Sequence, residues 1–423
     1  MPMDTGSETV WLDLGASDEV GAEPRRIAAD GAPLVVTRLG DKVLVAADRC
    51  PHRGAPLSAG TVVHDCLVCP YHGWAFDRDG EIAAIPALGP DARLPKRARL
   101  RTAVVDERAG RVRVDSSTVP STEPPVRAVA NDAAELGAGW HPVCRTDEVA
   151  PGASVVLSLL GRSWLVERDQ SGALICPGAH RVADHVGHVW ISPDEPLTGL
   201  LPVAEFDEAG WHHVPMPRVE GRYGMGLLLD NQLDAGHFPF VHRTTFGASA
   251  GDPLPAYEVE RDGLGFEVRL RVPIAARNDV TDAAGARPLQ QYRTMTYRYA
   301  APSTLFLRLD YEEMGGSTGI LFCFTPLDHD TTRMDVDLVF RHPDGFTEDQ
   351  LAERLAFEVA VVGEDLSLQD RFDFLELPLE LTAEIHTKAD RSAVEMRRIL
   401  AELYALAPAP AARAVTDHSD HAA

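Results

Sequence analysis

The 423-residue chain is short of basic residues. It has 40 Lys plus Arg against 64 Asp plus Glu, a formal net charge of −24, and only three lysines (Lys42, Lys96 and Lys388). Nucleic acids and anionic membranes attract clusters of Lys and Arg. The acidic balance therefore argues against both as partners.

The sequence also lacks long apolar runs and abundant cysteine. No run approaches the roughly 20 apolar residues of a membrane span, and the acidic, polar beginning MPMDTGSETVW does not resemble a secretion signal. We therefore expect a cytoplasmic protein, in which the six cysteines stay reduced and clustered ones more often bind metal. The length predicts two or three domains.

Hydrophobic patterning predicts an α+β multidomain fold. Residues 8–118 read as short strands of an all-β domain, and the proline-rich segment 119–132 reads as a linker. Residues 198–406 form an α+β domain, with a capping box at Thr347 opening a helix to about Gly363 and another helix over roughly 390–406. The Ala-, Pro- and His-rich tail 407–423 is expected to be disordered.

The strongest motif is Cys50-x-His52, followed after sixteen residues by Cys69-x2-His72. Two thiolates can hold one iron of a two-iron cluster and two imidazoles the other. Structural zinc also accepts two Cys and two His, but its ligands normally come in Cys-Cys and His-His pairs rather than interleaved. Zinc is the alternative interpretation of this motif.

The two segments RCPHRGAPLSAG and LVCPYHGWAFDRDG resemble the Rieske iron-sulfur domain, and the resemblance covers residues 8–118. It implies that Cys50, His52, Cys69 and His72 bind a [2Fe-2S] cluster. Tyr71 stands where high-potential Rieske proteins carry a cysteine, so this domain is similar to the oxygenase and ferredoxin type. Cys66 has no ligand position left and is interpreted as a packing residue.

A second constellation is Asn231-x2-Asp234-x2-His237-x4-His242. Histidines five apart on an α-helix point about 140° from each other, but a break at Phe238-Pro239 would let both rings face one centre. Taken alone, the motif is equally compatible with buried polar residues that have no metal. Next to a Rieske domain it resembles the mononuclear iron site of Rieske non-heme iron oxygenases.

That resemblance implies a third ligand, because two histidines and one carboxylate hold Fe(II) and leave positions open. The segment VVGEDLSLQDRF resembles the vanillate O-demethylase and dicamba monooxygenase group, which makes Asp365 the expected ligand, with Asp370 or Asp373 as alternatives; Glu364 and Asp370 match the flanks of the family pattern. It further implies that Asp234 bonds His237 and reaches His72 of a neighbouring subunit, and that Asn231 is a hydrogen bonder near the iron.

The function implied by this resemblance is a Rieske-type oxygenase. It would use O2 to oxidise a small aromatic or apolar substrate by hydroxylation, demethylation or oxidative cyclisation, as a monooxygenase rather than a dioxygenase. The one glycine-rich stretch, GRYGMG at 221–226, lacks the dinucleotide-binding spacing. Electrons from NAD(P)H would thus arrive through a ferredoxin and/or flavin reductase, and the resemblance implies a homotrimer.

Residues 133–197 echo the first domain. An offset of 129 relates Trp11 to Trp140 and Asp18-Glu19-Val20 to Asp147-Glu148-Val149. The second copy is shorter and has no second Cys-x2-His, so we predict a truncated Rieske-like β domain without cluster ligands. Two other function classes remain open at this point: an electron-transfer or ligand-binding protein without a working mononuclear iron, and a zinc-containing interaction protein.

Overall fold

The N-terminal domain consists of three small antiparallel sheets. The computed structural model describes residues 9–121, 127–247, 253–275, 290–312 and 315–408. Strands β1 to β10 are Trp11–Ala16, Arg25–Ala29, Ala32–Leu39, Lys42–Ala47, Thr61–Val63, Cys66–Val68, Ala75–Phe76, Ile82–Ala84, Val105–Arg108 and Arg111–Asp115. They pair in the orders β1-β10-β9, β2-β3-β4 and β5-β6-β7-β8. The first Cys/His loop follows β4, and the second joins β6 to β7.

The predicted linker is tied to the C-terminal domain. Residues 122–126 lie outside the described residues, and β11 (Ala128–Val129) pairs with β26 (Leu377–Pro378). The segment is therefore not simply an extended connection, because part of it adds a short strand to the domain that follows.

Residues 133–197 form two three-stranded sheets. Strands β12 to β17 are His141–Arg145, Ser154–Leu159, Arg162–Arg168, Leu174–Ile175, Arg181–His185 and His188–Ser192, in the orders β12-β17-β16 and β13-β14-β15. The first domain pairs its strands in the same way in β1-β10-β9 and β2-β3-β4. What the second unit does not have is a counterpart of the sheet β5 to β8, which carries the second Cys/His loop.

An arginine clasp recurs in both units. In each, an arginine of the middle strand donates from Nε to a backbone carbonyl at 2.9 Å and from Nη2 to a hairpin carboxylate at 2.8 Å. The two sets are Arg38, Val20 and Glu107, and Arg168, Val149 and Asp184. The two units thus share their strand order and their arginine clasp, as a truncated repeat would. The repeat itself stays a prediction.

The C-terminal domain is built on a long antiparallel sheet in the order β18-β25-β24-β23-β22-β21-β20, with β19 also paired to β25. Strands β18 to β25 are His212–Pro215, Val219–Gly221, Val259–Asp262, Gly265–Ala275, Gln290–Ala300, Thr304–Tyr311, Ser317–Pro326 and Thr332–Arg341. The central strands are rich in Val, Ile, Leu and Phe and are almost wholly buried. Such runs suit a sheet covered on both faces.

Four helices complete the described parts of this domain: α1 (Met225–Gln232), α2 (Phe238–Val241), α3 (Glu348–Gln369) and α4 (Arg391–Leu406). The capping box at Thr347 is confirmed, but α3 runs two turns beyond the predicted end at Gly363. Its buried positions Glu358, Val362 and Asp365 recur at helical spacing and lie on one face. The glycine does not end the helix because the turns after it bury their own residues.

The segment that carries the two histidines breaks earlier than predicted. Helix α1 ends at Gln232, residues 233–237 are non-helical, and Pro239 lies in the first turn of α2. Proline is tolerated in a first turn because no intrahelical N–H bond is lost there. No helix of the described residues is long and apolar enough to cross a membrane. The predicted disordered tail lies almost entirely outside the described residues.

Candidate metal centres

Three predicted ligand atoms meet at one point in the C-terminal domain. His237 Nε2 and His242 Nε2 are 3.0 Å apart, and Asp365 Oδ1 lies 3.4 Å from each. The three residues are 1–4% exposed. Ligand atoms bound at about 2.1 Å to one ion have such mutual distances, so the residues present fit a mononuclear iron. Asp370 instead accepts from Tyr223 Oη, and Asp373 pairs with Arg26.

The acid-base state of this cluster also suits a cation. Burial raises the pKa of Asp365, but the hydrogen bonds from His237 and His242 lower it more, so the carboxylate stays ionised. Burial lowers the pKa of His237 and outweighs Asp365, which keeps that imidazole neutral. Asp365 and Glu364 outweigh burial at His242 and raise its pKa, so a metal bound there would displace a proton from that imidazole.

Glu364 is a site residue whose role sequence reasoning missed. Its Oε2 lies 2.9 Å from His242 Nδ1, and Thr245 Oγ1 donates to the same oxygen at 2.8 Å. A carboxylate on the far nitrogen of a metal-binding histidine fixes the tautomer and the ring orientation. The matching family flank was visible in the sequence, but the pairing with His242 depends on how α3 packs against α2.

Asn231 and Asp234 lie between the two predicted metal centres. Asn231 Nδ2 donates to Tyr71 Oη at 2.9 Å and to Asp365 Oδ1 at 3.3 Å. Asp234 Oδ1 accepts from the Gly236 backbone, and its Oδ2 bonds His72 Nε2. The expected bond from Asp234 to His237 does not form among the described residues. His237 Nδ1 has no partner in the described part of the chain.

The two N-terminal loops bring their four predicted ligands together. Cys50 and Cys69 share a hydrogen bond, and the rings of His52 and His72 have centroids 4.4 Å apart. Both histidines leave Nδ1 buried without a partner among the described residues, while each Nε2 bonds a carboxylate. Two free ring nitrogens beside two thiols form the donor set of a Rieske cluster, so these residues fit that group.

Asp390 is the second carboxylate of this region, and sequence reasoning did not find it. Its Oδ1 lies 2.8 Å from His52 Nε2, and Arg53 Nη2 donates to the same oxygen at 3.0 Å. Arg53 is 3% exposed and also pairs with Asp230 and Glu384 at 3.5 Å. The loop motif contains His52 and Arg53, but their acidic partners come from residues more than 170 positions away.

The N-terminal domain docks closely on the C-terminal domain of the same chain. Gly73 has φ +66°, and a Cβ there would lie 2.1 Å from the Phe240 ring. Gly54 approaches Phe374 in the same way, and Arg49 lies 3.7 Å above that ring. The family resemblance implies that His72 faces Asp234 of a neighbouring subunit, and in this structure the same two residues also meet within one chain.

A mostly apolar pocket adjoins the histidine and aspartate cluster. Besides His237, His242 and Asp365, its wall is formed by aromatic and aliphatic side chains together with Arg293, Tyr297 and Glu358. The free volume is about 50 Å³, roughly room for one or two waters.

Comparison with known proteins identifies both domains. Residues 10–104 match the Rieske [2Fe-2S] domain, and residues 224–406 match the vanillate O-demethylase oxygenase C-terminal domain. The N-terminal domain is therefore a Rieske domain, the kind that holds a [2Fe-2S] cluster, and the C-terminal domain is of the vanillate O-demethylase oxygenase type.

Individual relatives match parts of the chain. The oxygenase component of dicamba O-demethylase from Stenotrophomonas maltophilia is 38% identical over 270 residues, which are 62% of this chain and 55% of that protein. Methylxanthine N1-demethylase NdmA from Pseudomonas putida is 44% identical over 101 residues, 23% of this chain and 28% of the relative. The first relatives are thus matched over well under two thirds of their length. A crystal structure of dicamba monooxygenase gives a TM-score of 0.43 at 17% identity, covering 94% of this chain and 97% of that one.

Proposed function

We propose that the chain is the oxygenase component of a Rieske non-heme iron system that oxidises a small organic, aromatic or apolar, substrate with O2. The observation that carries the proposal is the buried contact of His72 with Asp234, three residues before His237. It joins a complete [2Fe-2S] donor set to a complete two-histidine, one-carboxylate set. An electron carrier alone would have no reason to bury the second set beside an apolar pocket.

In this proposal the bound groups supply one-electron transfer at the cluster and O2 activation at Fe(II). The chain's residues position and separate them. Burial lowers the pKa of His72, but Asp234 raises it more, so this imidazole holds a proton against the carboxylate. Asp234 thereby connects a Rieske histidine to the segment that carries His237, and Glu364 and Asn231 fix the iron ligands His242 and Asp365.

The reaction type follows from the relatives as a proposal. Relatives of this chain include one named for O-demethylation of dicamba and others for N-demethylation of methylxanthines, and another is named 3-chlorobenzoate-3,4-dioxygenase. We favour monooxygenase chemistry, namely hydroxylation, demethylation or oxidative cyclisation. NAD(P)H would deliver electrons through a ferredoxin and/or flavin reductase, in the cytoplasm.

The decisive test is iron and acid-labile sulfide per chain in anaerobically purified protein, with an EPR spectrum after dithionite reduction. We expect about three irons and two sulfides with a Rieske-type signal, and about two irons with the same signal in the Asp365→Ala variant. Two irons in the unmodified protein, unchanged after Fe(II) is added, would favour the electron carrier instead. A colourless, zinc-containing preparation would contradict both.

The structure also bears on assembly. The resemblance implies a homotrimer with transfer between neighbouring chains, but His72 and Asp234 meet within one chain here. We propose that the chain forms this homotrimer and that the contact of His72 with Asp234 is its route for electron transfer.

The exposed ion pair Arg26 to Asp373, at 2.6 Å, crosses the interface between the two domains and gives a direct readout of this arrangement. In the Arg26→Cys/Asp373→Cys double variant, a short bismaleimide should link the two sites inside a single chain on denaturing gels. The controls are the two variants that carry only one of the added cysteines. A ladder of linked dimers and trimers would show that the domains pair between chains.

A further inference from the structure

The predicted cluster site is closed off where the N-terminal domain meets the C-terminal domain. Its four ligand residues are only 2–3% exposed, and the rings of Phe240 and Phe374 cover the two loops that carry them. An electron donor from outside therefore does not touch the ligands themselves. Under the proposed function, each electron has to enter through a neighbouring part of the surface.

A cleft lies at the seam between the two domains, beside the first cluster loop. Its free volume is about 500 Å³. The N-terminal domain contributes one arginine and three residues that follow the Cys50 loop, and the C-terminal domain contributes a second arginine and one short segment: Arg26, Pro56, Ser58, Ala59, Arg222 and residues 370–373. The cleft thus approaches the cluster site from the side.

Phe372 connects this seam cleft to the cluster site. It lines the cleft although it is only 5% exposed, and its ring meets the ring of Tyr71 edge to face with centroids 6.3 Å apart. The Tyr71 ring is itself buried, and its centroid lies 4.0 Å from that of the cluster ligand His72. Two packed aromatic rings therefore span the distance between the cleft and the ligand.

The rim of the cleft carries two cations that remain available to a partner. The side chains of Arg222 and Arg371 are exposed and form no hydrogen bond or ion pair among the described residues. The acidic residues of the rim are engaged, because Asp373 pairs with Arg26 and Asp370 accepts from a tyrosine hydroxyl. On a chain with a formal net charge of −24, two free cations beside the cluster site favour the approach of an acidic protein at this place.

We propose that the seam cleft is the docking surface for an acidic ferredoxin and that the electron enters at Phe372. The proposal rests on the proposed function and specifies its partner. One electron leaves the reduced ferredoxin, whose cluster returns to the diferric state, and converts the diferric cluster of this chain to the mixed-valence state, without transfer of an atom. Carboxylates around the ferredoxin cluster would pair with Arg222 and Arg371, which brings that cluster towards Phe372.

Oxidation of the dithionite-reduced cluster by small ions of opposite charge tests the place of entry. At about 10 mM ionic strength charges act over about 30 Å. In stopped-flow absorbance, the Arg222→Gln/Arg371→Gln variant should be oxidised about five- to tenfold more slowly by hexacyanoferrate(III), an anion, and no more slowly by hexaammineruthenium(III), a cation. Arg269→Gln is the matched control and should change neither rate, because Arg269 is an exposed arginine of strand β21.

Binding of an acidic plant-type [2Fe-2S] ferredoxin tests the partner. With both proteins oxidised, isothermal titration calorimetry should show binding that the double variant weakens about tenfold, because two exposed ion pairs are lost. Phe372→Leu should bind the ferredoxin as before but accept its electron more slowly, at an unchanged midpoint potential of the cluster. A purely structural role of Phe372 would not separate the rate from binding and potential in this way.

Three results would overturn the proposal. One is the same hexacyanoferrate rate in the unmodified protein and the double variant. Another is a slower hexacyanoferrate rate with unchanged ferredoxin binding, which would make the cleft a site for small anions only. The third is no ferredoxin binding at millimolar concentration. None of them alters the iron count of the preceding section, and a chain with only two irons would still bind ferredoxin here, so the docking surface and the oxygenase function can fail separately.

Discussion

Replacing Arg53 by leucine tests how the two domains are held together. Arg53 comes from a cluster loop, yet all its charge partners belong to the C-terminal domain: Asp390 at 3.0 Å, and Glu384 and Asp230 at 3.5 Å. Without it, Asp230 and Glu384 keep Arg397 as a charge partner, and Asp390 keeps only His52. Breaking a buried ion pair by removing one partner costs about 3–5 kcal/mol, which is roughly a hundredfold to a few thousandfold in the equilibrium between docked and undocked domains.

The assay is urea unfolding followed at the same time by ellipticity and by the visible absorbance of the cluster. Arg53→Leu should lower the cluster transition and separate it from that of the C-terminal domain. Hydrogen exchange should rise in residues 50–54 and 69–73. The control is Arg26→Gln, which removes an exposed pair across the same interface and should cost less than about 1 kcal/mol. Coincident, unshifted transitions in Arg53→Leu would refute this docking geometry.

Three further predictions concern single positions. Gly73→Ala should abolish electron transfer between the two metal centres, because the added Cβ would collide with Phe240. Stopped-flow bleaching of the cluster measures this transfer. The control is Gly110→Ala, because Gly110 has a similar φ of +72° but open space around it. Glu364→Gln should weaken Fe(II) binding about 10- to 100-fold in an anaerobic titration, because His242 loses its carboxylate partner. Unchanged affinity would show that Glu364 does not support iron binding. Burial raises the pKa of Glu358 to about 7, so ionisation of this side chain opposes folding. Glu358→Gln should therefore leave the free energy of unfolding unchanged near pH 4. As the pH rises through 7, the variant should become more stable than the unmodified protein by up to about 3 kcal/mol. A stability difference independent of pH would contradict that assignment.

The residues with special chemistry were readable from the sequence, and their partners were not. Cys50-x-His52 and Cys69-x2-His72 are local patterns, and the structure brings their side chains together as the motif implies. Asp365 could be suggested from its flanks alone. Asp390 carries no local signal, because its place beside His52 is set by packing between segments 338 residues apart. The helix break at 233–237 was misplaced because Pro239 looks like a breaker but lies in a permitted first-turn position.

The unit 133–197 explains how one chain can bring both centres together. It contacts the catalytic sheet directly: Arg145 Nη1 pairs with Asp337 at 2.6 Å, His188 Nε2 with the same carboxylate at 2.5 Å, and Thr325 Oγ1 donates to the Pro142 carbonyl. The complete Rieske domain precedes this unit and contacts α1, Asp234 and the segment 373–390 of the C-terminal domain. The chain passes through residues 119–132, crosses the sheet and only then reaches α1. The connection between the cluster ligands and the iron ligands is therefore long. That length lets the cluster loops fold back onto their own iron site, and it predicts that removing residues 133–197 would break the contact of His72 with Asp234 in the same chain while leaving both donor sets intact.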